Sequence, residues 1–318
     1  MLFSWFKLNE EIPIGNEIYI TIPNNTSKSE IIKIFNSEGL LKPSWLFVFL
    51  TKAYGFIFEK HIIAATYRIL PNNTNFQILK AVFTGKQLYI VKITFPEGFT
   101  LTEFASISSR KLGIDSIEFM KLASLDSLLK ARNIPGKNIE GYLYPNTYLF
   151  RWKTPVNEII DKLLNSQDQI WNKKFAEEVY ELDKSRHKIL TLASIIEAET
   201  PVAAEKPRIS GVYYNRLKRG MLLQADPTVQ YAIGKKNKLT HNNLDFDSPY
   251  NTYKYHGLPP GPINSPGISS IEAAINPEKH NYYYFVAKGD GSGRHNFSRN
   301  LSEHRMNISY YRRNHISN

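Results

Sequence analysis

The most informative apolar pattern in the chain is helical and lies at residues 191–199, TLASIIEAE. On a helical wheel Leu192, Ile195 and Ile196 form one stripe, and Glu197 lies at its edge. Glu199 lies about 200° from Glu197, so these two carboxylates cannot jointly flank one bond. If this helix takes part in catalysis, it supplies one acid or base, and any second carboxylate comes from elsewhere in the chain.

The residues after this helix predict a second one. We expect the first helix to end near Thr200, with Thr200 as the N-cap and Pro201 as the first residue of a helix that ends at Gly220. The alternative interpretation of the Glu-Thr-Pro junction is a plain corner between two helices, with acidic side chains on the surface.

The N-terminal third of the chain has a strand-like period instead. Residues 17–22 alternate as a strand does, residues 27–36 predict a helix after a turn, and residues 67–69 and 87–94 predict two more strands. Residues 45–50 are apolar with helical spacing, and we expect them to form a buried helix of the same region.

These patterns predict an α+β protein with three segments. Residues 17–95 form a small strand–helix–helix–strand module, and residues 96–318 form a mixed α/β domain. Within that domain residues 155–187 predict amphipathic helices, in which Trp171 and Phe175 are expected core contacts. The apolar part of residues 1–16 is too short for a bilayer, which needs about 20 apolar residues. We interpret this stub as the remnant of a membrane anchor, or else the protein is delivered in another way.

Four later segments combine tyrosines with polar side chains, proline and glycine: residues 140–148, 223–234, 248–267 and 282–304. Tyrosine rings offer flat apolar faces, and amides and carboxylates orient hydroxylated ligands by directed hydrogen bonds. A polar groove with aromatic walls is therefore expected. The candidate lining residues are Tyr142, Tyr144, Tyr250, Tyr253, Tyr255, Asn146, Gln224, Asp226, Asn251 and Asn296.

Composition narrows the function classes. The chain has 40 Lys and Arg against 29 Asp and Glu, a net charge of +11, which suggests an anionic neighbour such as a membrane surface, a phosphate-bearing wall polymer or a nucleic acid. The basic residues are scattered and form no basic helix, which argues against nucleic acid as a partner. Without cysteine, thiolate catalysis and cysteine-ligated zinc are excluded. No nucleotide-binding fingerprint is present, and no cofactor is predicted.

Five blocks of the sequence together resemble a known family. EGYLYPNTY, LASIIEAET, YYNRLKRGMLLQADPTVQYAIG, SPYNTYKYHGLPPGPINSPG and GDGSGRHNFSRNLSEH look like the successive signature blocks of the MltG/YceG-like endolytic murein transglycosylases. The resemblance implies cleavage of the bond between N-acetylmuramic acid and N-acetylglucosamine in peptidoglycan, without water, leaving 1,6-anhydromuramic ends. It also implies that residues 17–95 are a LysM-like module.

The resemblance assigns roles by position. The family's catalytic glutamate falls on Glu197, and its other block residues fall on Glu140, Gln224, Asp226, Asn251 and His295, which we treat as groove-forming candidates together with Tyr250 and Tyr253. A location in the bacterial envelope at the outer face of the inner membrane, a role in ending nascent glycan strands, and peptidoglycan synthases as partners follow from the resemblance alone.

Several of these residues have a second interpretation. Glu140 either caps a helix or turn, or orients Glu197 or the substrate. Gln224 and Asp226 point the same way if they lie on an extended strand, but Asp226 could instead start a turn. Asn251 either orients the sugar or bonds its own backbone in a turn. His295 could be a structural residue of a hairpin.

The chemistry expected of this site needs one carboxyl group. Protonated Glu197 would donate to the glycosidic oxygen, and the ionised carboxylate would then take the proton from the sugar's 6-hydroxyl as it attacks C1. The alternative function is a peptidoglycan-binding or scaffolding protein whose groove holds glycan without cutting it.

Overall fold

The structure is a computed structural model, and it describes residues 16–23, 25–40, 52, 62–181, 185–236 and 239–316. Within these ranges the chain forms three two-stranded sheets among many helices, which confirms the mixed α and β composition. The strands are β1 (Ile18–Thr21), β2 (Thr66–Ile69), β3 (Ile90–Thr94), β4 (Thr147–Arg151), β5 (Tyr284–Ala287) and β6 (His295–Ser298). The α-helices are α1 (Lys28–Ser37), α2 (Asn75–Thr84), α3 (Leu101–Leu112), α4 (Ser116–Ala123), α5 (Asp126–Ala131), α6 (Val156–Lys174), α7 (Ala176–Glu181), α8 (Arg186–Glu199), α9 (Lys206–Lys218), α10 (Asp226–Ile233), α11 (His241–Leu244), α12 (Ile268–Ile275) and α13 (Leu301–Ile316).

The chain divides into two compact units that interleave along the sequence. The first unit contains Met1–Ile93, Ser108–Ile114 and Tyr148–Pro155. The second unit contains Thr94–Ile107, Asp115–Thr147 and Val156–Asn318.

The first unit is built on the antiparallel pair β1 and β2. Ile20 lies opposite Tyr67 in this pair, and both side chains are buried in one apolar cluster with Phe35 of α1. Helix α1 begins after Ser27, whose hydroxyl accepts from the backbone N–H of Glu30 in a capping box.

These elements confirm the predicted strands at residues 17–22 and 67–69 and the predicted helix at 27–36. The predicted strand at 87–94 is also present, as β3. The predicted helix at 45–50 and the first fifteen residues of the stub lie outside the described residues. The likeness of this unit to a LysM module stays a prediction.

Helix α8 lies at the centre of the second unit. Eight consecutive residues, 189–196, are buried, so burial extends beyond the predicted apolar stripe to all sides of this part of the helix. Helices α9 and α12 both pack against it. Glu197 is the first residue beyond the buried run, so the packing of α8 fixes the position of its backbone.

The corner after α8 differs from the sequence prediction. The helix ends at Glu199, close to the predicted end, but Thr200 is extended and its hydroxyl accepts from the N–H of Val202. This local bond competes with helix formation. A short 3₁₀ turn at Ala203–Glu205 follows, and α9 begins at Lys206, so a helix starting at Pro201 was wrong.

Other predicted features of the second unit are present. Trp171 and Phe175 are both buried, with ring centroids 5.8 Å apart, as the helical spacing predicts. Gly220 follows α9 with a left-handed φ of 65°, which confirms it as the stop of that helix. Strands β5 and β6 form an antiparallel hairpin in which Phe285 lies opposite Phe297.

Across the described part of the chain, each helix is either too short or too polar to span a bilayer.

Gly211 provides a test of the packing in the second unit. It lies inside α9, and a β-carbon there would overlap the backbone carbonyl of Glu278 and the ring of His280. Gly211→Ala should therefore lower the free energy of unfolding by about 1–3 kcal/mol, although alanine is the better helix former. Urea unfolding measures the change. Lys218→Ala, an exposed change on the same helix, should stay within about 0.5 kcal/mol of the parent, and an unchanged Gly211→Ala protein would contradict the close packing.

Candidate active site

A cavity of about 810 Å³ in the second unit collects several of the predicted site residues. Segments from α3, α8 and α10 and from the loops before α3 and α12 contribute to its walls. Four of the lining residues are acidic: Glu97, Glu103, Glu140 and Glu197. Two tyrosines, Tyr231 and Tyr250, add aromatic surface with ring centroids 5.0 Å apart.

Glu197 lies in the last turn of α8, and its side chain is only 10% exposed. Three donors contact its Oε2 atom: Lys206 Nζ at 3.1 Å, the backbone N–H of Gly267 at 3.0 Å and Ser270 Oγ at 2.6 Å. Three hydrogen bonds to one oxygen, one of them from a cation, hold the carboxyl group in a single orientation. The cavity therefore contains one carboxylate held in a fixed orientation.

The donors come from the starts of two helices. Lys206 is the first residue of α9, and its ammonium also donates to Ser269 Oγ at 2.9 Å. Gly267 is the N-cap of α12, and Ser270 lies in the first turn. The N-terminal end of a helix carries partial positive charge, so α12 stabilises the carboxylate of Glu197 beyond the two direct contacts.

Lys206, Gly267 and Ser270 were not predicted from the sequence as partners of Glu197. No local spacing joins them to Glu197, since Gly267 and Ser270 lie 70 and 73 residues further along the chain. The only signal was the Gly-Ile-Ser-Ser run before an apolar stretch, which indicates a helix start. It does not indicate which side chain that helix start faces.

Glu97 was missed as well. It follows β3 within the run Phe-Pro-Glu-Gly, and its side chain is exposed at the cavity. A β-carbon at Gly267 would overlap the carboxyl group of Glu97, so this group packs against Gly267. The pKa of Glu97 is raised, first by desolvation and then by the negative charge of Glu197, while Lys206 lowers it.

Glu140 lies in the cavity wall with most of its side chain buried. Its two oxygens accept from the N–H of Leu101, the first residue of α3, at 2.9 and 3.1 Å. Burial raises the pKa of Glu140 to about 7, although the hydrogen bonds from Leu101, Gly141 and Tyr231 oppose the shift. Glu140 thus caps a helix, as one interpretation proposed, and it caps α3.

Gln224, Asp226 and Tyr253 lie outside the cavity lining. Gln224 has a left-handed φ of 49°, and Asp226 is the first residue of α10, so the extended strand through these two residues was wrong. Proline at the second helical position suits a helix start there. The hydroxyl of Tyr253 donates to the carboxylate of Asp226.

Asn251 is fully buried in a loop. Its amide donates to the carbonyls of Leu244 at 2.8 Å and Phe246 at 2.7 Å, and its side-chain oxygen accepts from the N–H of Tyr253 at 2.9 Å. These contacts are the ones expected if Asn251 bonds the backbone of its own loop, rather than a sugar. Of the groove tyrosines named with it, Tyr250 lines the cavity.

His295 lies on β6 and also outside the cavity lining. Its Nδ1 atom is 2.9 Å from Oε2 of Glu205, and its backbone N–H donates to the same carboxylate. The segment before it belongs to the β5–β6 hairpin, as the structural interpretation expected.

Glu199 faces away from this group of acids. Its carboxylate accepts from the hydroxyl of Tyr213 at 2.6 Å. Desolvation raises the pKa of Glu199 to about 7, and the bond from Tyr213 opposes the shift. The structure therefore separates Glu197 from Glu199, as the helical wheel predicts. Among the residues described, no cluster of three or more His, Asp or Glu side chains is arranged to hold a metal ion.

Comparison with known proteins gives consistent matches over nearly the whole chain. An endolytic murein transglycosylase of Bacillus subtilis (strain 168) is 36% identical over 307 residues, covering 90% of this chain and 82% of its own length. One from Streptococcus pneumoniae is 29% identical over 343 residues; the match covers 96% of this chain and spans 61% of the streptococcal protein.

Solved structures and family models agree with these relatives. A 2.6 Å crystal structure of a YceG-like protein from Listeria monocytogenes matches with a TM-score of 0.65 and 34% identity, covering 92% of this chain and 99% of that one. The model of the YceG-like family matches residues 20–310. The chain belongs to the YceG-like family.

Proposed function

We propose that this protein is an endolytic lytic transglycosylase of peptidoglycan, with Glu197 as its catalytic carboxylate. The observation that carries the proposal is the carboxylate of Glu197, held by three donors in the wall of a cavity. Relatives of the same family are named endolytic murein transglycosylases. The bond cut is the one between N-acetylmuramic acid and N-acetylglucosamine.

Breaking this bond without water needs three events. The glycosidic oxygen receives a proton, positive charge develops at C1 of the muramic acid, and the sugar's own 6-hydroxyl attacks C1. A fixed anion close to C1 stabilises the developing charge and accepts the proton of the 6-hydroxyl. Because all three donors contact Oε2 of Glu197, we assign Oε1 to these two tasks.

The cavity suits a sugar chain. Tyr231 and Tyr250 provide aromatic surface on which a pyranose ring can pack, and the amide of Asn264 and the carboxylates lie beside them. Ring closure by the 6-hydroxyl is intramolecular and gains from proximity once the sugar is oriented. We include Glu140 and Tyr250 in the substrate-binding wall. The other predicted residues would act indirectly, by holding the loops around the cavity: Gln224, Asp226, Asn251, Tyr253 and His295.

The substrate places the protein in the cell envelope, because murein is the wall polymer. We further propose that it works at the outer face of the inner membrane, where cutting within nascent strands ends their elongation next to a peptidoglycan synthase. The net charge of +11 suits a surface rich in anionic lipid or wall phosphate.

Glu197→Gln tests the catalytic assignment. Glutamine keeps the shape and can still accept from Gly267 and Ser270, but it neither carries the charge nor exchanges the proton. Turnover of purified sacculi per folded molecule should fall by about 10² to 10⁴. The melting temperature should also fall, because Lys206 stays buried without its anionic partner. Glu199→Gln, two residues along the same helix, should retain nearly parental turnover. Parental turnover in Glu197→Gln would remove this residue from the mechanism and favour a scaffolding role.

The products test the reaction type. Mass spectrometry of digested sacculi should show 1,6-anhydromuramic ends that arise within glycan strands. In water enriched in ¹⁸O these ends should carry no label, since the oxygen that attacks C1 belongs to the sugar. Reducing muramic ends that contain ¹⁸O would show hydrolysis and contradict the lytic mechanism.

A further inference from the structure

Glu97 and Glu197 contact the same glycine from different directions. The backbone N–H of Gly267 donates to Oε2 of Glu197 at 3.0 Å, and the carboxyl group of Glu97 packs where a β-carbon of Gly267 would lie. The loop that carries Glu97 is fixed there by two backbone hydrogen bonds of 2.8 Å, from Gly98 N–H to the carbonyl of Ser265 and from Ser265 N–H to the carbonyl of Phe99. The two carboxyl groups therefore face one small volume of the cavity.

The other two acids of the cavity are occupied by structural contacts. Glu140 binds the first N–H of α3. Glu103 accepts from the N–H and hydroxyl of Thr100 and from Lys236 Nζ. Among the described residues, no hydrogen bond to the Glu97 carboxyl group is found, so this carboxyl group is free to act on a ligand.

Glu97 and Glu197 have different charged neighbours. The charged groups that act on Glu97 are Glu197 and Lys206, while burial and then the charge of Glu97 raise the pKa of the neighbouring Tyr144. Desolvation and the charge of Glu197 raise the pKa of Glu97, whereas Lys206 contacts Glu197 directly at 3.1 Å. Two carboxyl groups in unlike surroundings divide acid and base roles between them.

We propose that Glu97 is a second catalytic residue, the general acid that protonates the glycosidic oxygen, while Glu197 stays ionised and serves C1 and the 6-hydroxyl. The proposal deepens the transglycosylase function and rests on it. It replaces the expectation that Glu197 performs both proton transfers. Any second carboxyl group was expected to come from outside α8, and Glu97 lies outside that helix.

The proposed step balances without water or an external base. The proton of Glu97 passes to the glycosidic oxygen, and the bond from C1 to that oxygen breaks with both electrons going to the leaving N-acetylglucosamine, which departs with a free 4-hydroxyl. The 6-oxygen forms a new bond to C1, and its proton passes to Glu197. Transfer of this proton from Glu197 to Glu97 restores the starting state.

Glu97→Gln separates this role from that of Glu197. On sacculi its turnover should fall by about 10² to 10³. The matched control is Glu118→Gln, at an exposed position on α4, which should leave turnover unchanged. The deciding substrate is a glycan fragment with a 2,4-dinitrophenyl group at muramic C1, because that leaving group needs no proton. Glu97→Gln should release dinitrophenolate at close to the parental rate, and Glu197→Gln should remain slow.

Gly267→Ala tests the position of the Glu97 side chain while both glutamates remain in the protein. The φ of Gly267 is −74°, which alanine adopts readily, and the backbone N–H to Glu197 is retained. The new methyl group displaces the flexible end of Glu97. Turnover should fall while the melting temperature holds, and the double variant with Glu97→Gln should lose little beyond Glu97→Gln alone, because both changes remove one interaction.

The pH profile gives an independent readout. Glu97 must be protonated to act, so parental kcat/KM should fall as the pH rises through the raised pKa of Glu97, and the residual activity of Glu97→Gln should lack this fall. Parental turnover in Glu97→Gln, or equal losses on both substrates, would overturn the proposal. A parental protein that forms no anhydro ends would instead refute the transglycosylase function itself.

Discussion

A buried ion pair between Lys206 and Glu197 is the interaction on which the rest of the site depends. The two side chains are 4% and 10% exposed, and removing either charged partner would leave the other buried without compensation. The pair is tolerable because each member has further partners: Ser269 for the ammonium, and Gly267 and Ser270 for the carboxylate. The end of α8 and the starts of α9 and α12 must therefore converge, and their packing in the core of the second unit holds them together.

The irregular corner after α8 is part of the same arrangement. Extended Thr200 and the 3₁₀ turn at Ala203–Glu205 let α9 begin at Lys206, in contact with the last turn of α8. A helix that began at Pro201 would have put Lys206 in its second turn instead of at its start. The prediction of that corner failed because capping preferences describe local energies, whereas the position of Lys206 is set by a tertiary contact.

The sequence could predict what depends on local pattern. Helix α8, its end near Thr200 and the separation of Glu197 from Glu199 follow from the 3.6-residue period. The partners of Glu197 could not be predicted, because hydrophobic periodicity carries no information about contacts 70 residues apart. Asn251 shows a different limit: an amide beside tyrosines suits a groove or a turn equally well, and only its buried contacts with the loop backbone distinguish the two.

Lys206 contacts Glu197 and not Glu97, so the two neighbouring carboxyl groups lie in unequal surroundings. Two neighbouring carboxyl groups in equivalent surroundings resist ionising together and hold one proton between them. Here Lys206 and the helix start of α12 both contact Glu197, whereas desolvation and the charge of Glu197 raise the pKa of Glu97, so Glu97 is the group suited to carry a proton. This asymmetry suits a reaction whose nucleophile is part of the substrate. No base is needed to activate water, so the second carboxyl group of the cavity is available as the acid, and the hydrolytic arrangement of acid, water and base is not required.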